Sequence, residues 1–125
     1  MSEYIELKDL EVYKLSRELS RNGWQIYNKL VWQIKKIMGD QFITATDSVG
    51  ANVAEGYGRF HYLDKNKFYY NARGSLIEAG EHWLELMMER KVVEEPDYQG
   101  YLKIYNQLKP KLNKLISAIK DQKKK

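Results

Sequence analysis

The sequence predicts an all-α protein, an up-down-up-down antiparallel four-helix bundle. Three observations carry that prediction. Apolar residues recur at three- and four-residue steps along most of the chain, the period of an amphipathic helix. No run alternates apolar and polar residues between turn signals as a strand does, and only two prolines interrupt the 125 residues. Finally, 125 residues suffice for one hydrophobic core, so the expectation is a single domain over residues 1–125.

The first helix is expected from about Asp9 to Leu30. Val12, Leu19, Gly23, Ile26 and Leu30 fall on one face, and Tyr13, Trp24, Tyr27 and Val31 form a second, aromatic stripe beside it. A helix with two apolar stripes can pack in its own bundle and against another copy, and Tyr and Trp are enriched at interfaces. Tyr13, Trp24, Tyr27 and Val31 are therefore candidate oligomer-interface residues. The second helix is expected from about Ile37 to Gly56, with Phe42, Thr46, Val49 and Val53 facing the core and Gly56 and Gly58 as stop signals. Tyr57–Leu63 reads as a loop, with Asp64 as an N-cap.

The third helix is expected from about Lys65 to Arg90, its core side lined by Phe68, Ala72, Leu76, Ala79, Trp83 and Leu86. Pro96 suits the start of a fourth helix. There Tyr98, Tyr101, Tyr105, Leu108, Leu112, Leu115 and Ile119 keep the spacing of a bundle seam, Pro110 should kink the helix, and residues 119–125 should fray as a basic tail.

Charge is unevenly placed. Residues 109–125 hold seven lysines and one aspartate, +6, while the other 108 residues hold 14 basic and 16 acidic side chains, −2. Lys109, Lys111, Lys114, Lys120, Lys123, Lys124 and Lys125, with Arg59, are the candidate nucleic-acid contacts, and an oligomer would repeat them as a rim. Tyr57, Tyr62, Tyr69 and Tyr70 could stack on bases. The plainer fate of such a charge run is a solvated tail.

Two strings put polar groups where a helix should be packed: SVGANVAEG at Ser48–Gly56 and ARGSLIE at Ala72–Glu78. A buried polar group is costly unless bonded. Gln41, Ser48, Asn52, Glu55, Ser75 and Glu78 are therefore expected to form an interhelix hydrogen-bond network, with Gly74 marking a close helix approach. The competing reading makes Ser48, Asn52, Glu55 and Arg59 a polar face for a ligand or RNA.

Catalysis finds little support. The two histidines, His61 and His82, suggest no triad, and Ser75 lacks a general base at a useful spacing. Eight residues separate Arg73 from His82 and one separates Arg59 from His61. Glu78, Glu81, His82 and Glu85 do not supply the repeated Glu-x-x-His pattern of a di-iron bundle. With no cysteine, thiolate metal sites and disulfides are excluded. No metal or cofactor is expected. The opening residues lack a basic-then-apolar signal and no apolar run is long enough to span a bilayer, so a cytoplasmic protein without a membrane partner is expected.

The order of motifs adds a family. Gln41, Ser48, Asn52-Val53-Ala54-Glu55-Gly56, Arg59, the aromatic Phe68-Tyr69-Tyr70, then Ala72-Arg73-Gly74-Ser75 with Glu78 and Glu81, resembles the "four helix bundle protein" family. That family is also named for intervening sequences in bacterial large-subunit ribosomal RNA genes. The resemblance runs from about Leu10 to Ile119. It implies a ring-shaped homo-oligomer, a homopentamer of bundles, similar in fold to the accessory variability protein of diversity-generating retroelements, which works with a reverse transcriptase and RNA. Phe42-Ile43 stands where the family usually has an arginine pair, which takes a basic contact away from the second helix. Tyr69-Tyr70-Asn71 replaces a segment usually rich in Ile and Leu.

The function expected is therefore a non-catalytic oligomeric adaptor that engages RNA, DNA or a nucleic-acid enzyme through a basic rim. The alternatives are an RNA-processing, ribonuclease-like bundle, and a protein–protein scaffold without nucleic acid.

Overall fold

The apolar stripe of the first segment becomes α1 (Glu11–Lys29) in the computed structural model, which describes residues 5–124. Of the candidate basic residues, Lys125 and the side chains of Lys123 and Lys124 lie outside that description. A 3-10 turn, Leu7–Asp9, leads into α1. The helix buries Val12, Leu15, Leu19, Gly23 and Ile26, and its one buried hydroxyl, on Ser16, donates to the Val12 carbonyl at 2.6 Å.

Only Leu30 and Val31, both in extended backbone, separate α1 from the next helix. That helix, α2 (32–57), begins as α-helix at Trp32–Ile34, continues as a π-helical turn at Lys35–Gly39 and resumes as α-helix over Asp40–Tyr57. It starts five residues before the predicted Ile37, because KLVWQ carries no glycine, proline or capping residue to mark the turn. Phe42, Thr46, Val49 and Val53 are fully buried, as the spacing predicts.

α3 (62–89) likewise contains a π-helical turn, Glu78–Trp83, between α-helical Tyr62–Ile77 and Leu84–Glu89. Two expectations fail here. The N-cap position falls to His61 rather than Asp64, which sits inside the first turn. The core stripe also shifts: Ala72, Leu76 and Ala79 are buried as expected, but Tyr69 is buried in place of Phe68, and after Gly80 the fully buried positions are Leu84 and Met87, with Trp83 and Leu86 packed on the core while only partly buried. A π turn holds an extra residue, which rotates every later side chain around the axis.

Lys91 ends α3 in the left-handed region (φ 59°), with the Val92 amide donating to the Met87 carbonyl at 3.1 Å, a Schellman-type stop. α4 (Glu95–Lys124) then passes through Pro110 as one helix. Ile116 and Ile119 are still buried near its end, and the helix runs to Lys124.

The helices α1, α2, α3 and α4 pack as sequential neighbours, with α4 closing back on α1, so the architecture is the all-α four-helix bundle, without strands among the described residues. Its centre is the Phe42–Tyr101 ring pair, centroids 5.3 Å apart, where buried Thr46 and Tyr101 share a hydroxyl hydrogen bond of 2.9 Å. Two glycines permit the closest crossings. A Cβ on Gly56 would lie 2.7 Å from the Tyr69 ring, and one on Gly80 would lie 2.5 Å from the Tyr105 ring.

Candidate nucleic-acid interface

The up-and-down path brings the start of α1, the α2–α3 turn and the end of α4 to one end of the bundle. Lys65 ties the turn by donating to the carbonyls of Gly56 (3.4 Å) and Tyr57 (3.1 Å), where a cation meets the negative end of the α2 dipole. Burial pushes its ammonium below the ordinary lysine value. Lys65 is thus a capping residue. Arg59 pairs with Glu55 at 2.8 Å and lies over the Phe68 ring.

The candidate lysines of α4 leave the helix in several directions. Lys109 turns to α3, where Glu81 accepts from it at 2.7 Å and also from the Tyr105 hydroxyl. Lys109 first, then Tyr105, holds the Glu81 carboxyl below its usual range, while burial first, then Glu81, pushes the Tyr105 hydroxyl up. Lys111 faces Glu11 of α1 at 3.5 Å. Lys120 reaches back to the Tyr70 ring, 5.3 Å from its centroid, where Arg73 also sits at 4.9 Å. Lys114 and Lys120 have no carboxylate within ion-pair distance among the described residues. Lys67 and Arg73 join this end of the bundle without having been singled out as contacts. Their spacing from Tyr70, three residues on either side, is the signal that places all of them at one helix surface.

Of the tyrosines read as base stackers, Tyr69 is buried in the core and unavailable. Tyr57 donates its hydroxyl to the Ile5 carbonyl. Tyr62 and Tyr70 face a cavity between α3 and α4.

The polar network is smaller than the sequence suggests. Asn52 donates to the Ser48 carbonyl (2.9 Å) and hydroxyl (3.0 Å), and Ser75 donates to the Ser48 hydroxyl at 3.1 Å, joining α2 to α3. Gln41, Glu55 and Glu78 lie outside it. All three are exposed, Glu55 holding Arg59 and Glu78 accepting from the Trp83 indole at 2.9 Å. Helical periodicity gives a shared stripe but does not say how deep each side chain lies. Gly74 marks no close approach, since a Cβ there would meet nothing within 4 Å.

The second stripe of α1 remains open. Trp24 is 53% exposed and stacks on Tyr27, ring centroids 5.5 Å apart, and Tyr27 donates to Asp40 at 2.6 Å. Val31, Trp32 and Ile37 continue the exposure around the α1–α2 turn. Tyr13 is half-buried and, with Trp24, walls a groove floored by Gly50, Ala51 and Ala54, small residues of the SVGANVAEG string.

His61 and His82 are exposed, each set edge-on to a neighbouring ring, Phe60 and Trp83. Among the described residues no group of three His, Cys, Asp or Glu could hold a metal ion, and no helix is long and apolar enough to cross a membrane.

Residues 8–114 match the family described as 23S rRNA-intervening sequence protein. Among solved structures, a protein with unknown function from the S23 ribosomal protein family of Bacteroides thetaiotaomicron is similar, with a TM-score of 0.77 and 23% identity over 84% of this chain and 97% of that one. That likeness is one of fold. No curated protein matches the chain.

Proposed function

Because the chain belongs to the 23S rRNA-intervening sequence protein family, we propose that it acts as a non-catalytic adaptor. In this reading five copies form a ring, and the basic ends of the bundles bind RNA or DNA, or an enzyme that handles it. The observation that carries the reading is charge placement. The +6 of residues 109–125 is set against −2 over the remaining 108, and Lys120 of that segment lines one cavity with Lys67 and shares the Tyr70 ring with Arg73. One copy offers few phosphate contacts, and repetition around a ring makes counterion release appreciable. Assembly draws support from Trp24, Val31, Trp32 and Ile37, four large apolar side chains left more than half exposed on α1, the α1–α2 turn and the start of α2.

The test is binding of a labelled structured RNA across a salt titration. Affinity is expected to fall steeply as salt rises, roughly 0.7–0.9 in log–log slope per phosphate contact. Substituting Lys111, Lys114 and Lys120 together with glutamine is expected to flatten that slope. Substitution is preferred to removal of residues 109–125, because Leu112, Ile116 and Ile119 belong to the core. Salt-independent binding, or none, overturns the adaptor reading in favour of a protein scaffold. The ring is tested by Trp24→Glu, which is expected to convert the assembly to folded monomers in light scattering. An unchanged assembly mass rejects this interface.

A further inference from the structure

We propose that the α2–α3 turn is a tip that seats the protein on the surface of an anionic lipid bilayer; the proposal goes beyond the nucleic-acid reading and does not rest on it. Phe60 is 91% exposed and Leu63 is 60% exposed, within four consecutive positions at the end of the turn and the start of α3. Phe60 is the most exposed large apolar side chain among the described residues. Ile5, 49% exposed, is held at the same place by the bond from the Tyr57 hydroxyl to its carbonyl. None of the three belongs to the core, and they lie at the end of the bundle opposite the α1–α2 turn, where Val31 and Trp32 are open.

The turn does not need these side chains for its own closure. Lys65 caps the α2 carbonyls of Gly56 and Tyr57, and Phe60 sets its ring edge-on to exposed His61 next to it. A side chain that stands this far out offers a rigid partner little flanking surface to pack on, whereas the headgroup region of a bilayer deforms around it. Leu63 and Ile5 have neither a ring to stack on a base nor a polar side-chain group to bond one, so the apolar part of the tip answers no need of a nucleic acid. Apolar side chains that enter a lipid interface gain the transfer free energy of the surface they bury.

Charge around the tip selects the kind of lipid. Lys67 and Lys120 line one cavity with Tyr62 and Leu63, and neither has a carboxylate within ion-pair distance among the described residues. Residues 120–125 hold four lysines and one aspartate. Arg59 is spent on Glu55, and Asp64 is the one carboxylate adjacent to Leu63 in the sequence, so the surroundings of the tip stay positive. Tyr62, between Phe60 and Leu63, has the amphipathic ring that suits headgroup depth. A small apolar insertion alone holds a protein weakly and reversibly, and a basic patch beside it adds the attraction to anionic lipid that makes attachment stable. The expectation of no membrane partner rests on the lack of a spanning segment, and attachment at the surface needs none.

The experiment is co-sedimentation of the full-length protein with vesicles of phosphatidylcholine alone and of an equal mixture with phosphatidylglycerol. The unaltered protein is expected to bind the mixed vesicles and not the neutral ones. Phe60→Ser combined with Leu63→Ser is expected to weaken that binding about tenfold or more, with the fold intact by circular dichroism because both side chains are exposed. The same double variant is expected to keep its affinity for the labelled RNA within about twofold. Failure of the unaltered protein to bind mixed vesicles, or equal binding to neutral ones, overturns the tip. So does a double variant that binds as the unaltered protein does, because the cations alone then account for the attachment. Equal losses toward vesicles and RNA also overturn it, since the turn would then serve any polyanion. The adaptor reading is decided separately, by the salt titration of RNA binding.

Discussion

The α3–α4 seam and the α1–α2 face are built from similar residues and meet opposite fates. Along the seam, tyrosines and cations are answered within the chain: Tyr98 by Glu85, Tyr105 and Lys109 by Glu81, Arg73 by Asn113. On the α1–α2 face Tyr27 is answered by Asp40, but Trp24, Val31, Trp32 and Ile37 keep more than half of their surface in solvent. Around Glu81 and Glu85 the seam is a finished interior contact. The face has the composition of a contact still to be made, which is what the proposed ring requires. Variants in the seam should therefore change the stability of one bundle, whereas Trp24→Glu should change assembly with little effect on the fold.

The largest effect on stability is expected at Gly80. A Cβ there would sit 2.5 Å from the Tyr105 ring, whose hydroxyl is already fixed by Glu81, so the ring cannot swing aside freely. Gly80→Ala is expected to cost about 1–3 kcal/mol in urea unfolding. Gly74→Ala, on the same helix and open to solvent, is expected to stabilise by about 0.5–1 kcal/mol, the ordinary gain of losing a helical glycine. If the two substitutions behave alike, the seam is looser than its geometry implies.

A pH profile sharpens the same contrast. Burial pushes the Tyr69 hydroxyl up to about 12, and the hydrogen bond to Glu85, then burial, pushes Tyr98 up to about 12, from an ordinary value of 10.0. Both folded values exceed the unfolded one, so the unfolded chain loses these protons first. The stability they contribute is fully present below pH 10 and is lost as the pH rises toward 12. Tyr98→Phe is expected to lessen that alkaline loss in thermal melts. An unchanged profile removes Tyr98 from the account.

How far the sequence revealed these regions depends on what periodicity measures. Phe42, Thr46, Val49 and Val53 were legible because an uninterrupted helix keeps its stripe. The full burial of Leu84 and Met87, deeper than Trp83 and Leu86, was not legible, because the π turn at Glu78–Trp83 rotates the side chains after it. In the site, the lysine-rich end of α4 stood out as a charge run, and Ser48, Asn52 and Ser75 stood out as polar residues on apolar stripes. Phe60 and Leu63 did not, because apolar residues beside a turn follow no period, and only the assembled fold shows that they are left exposed. Depth and long-range pairing are properties of packing, and a single helix pattern does not encode them.

The smallest expected effects separate two neighbouring lysines. Lys111 meets Glu11 at 3.5 Å with both side chains well exposed, whereas Lys109 meets Glu81 at 2.7 Å beside the Tyr105 hydroxyl. Exposed pairs are worth about 0–1 kcal/mol, so Lys111→Ala is expected to sit near the bottom of that range and Lys109→Ala nearer the top. Acid distinguishes them further. Lys109 and Tyr105 hold the folded Glu81 carboxyl below its ordinary value of 4.5, so the stability it contributes is present above that value and lost as the pH falls through the lower, folded one. Lys109→Ala should therefore make acid unfolding shallower, and Lys111→Ala should leave its slope alone. Under the adaptor reading both variants should also flatten the salt dependence of RNA binding. Lys111→Ala is the cleaner probe, because it lowers the charge of the rim while leaving the seam intact.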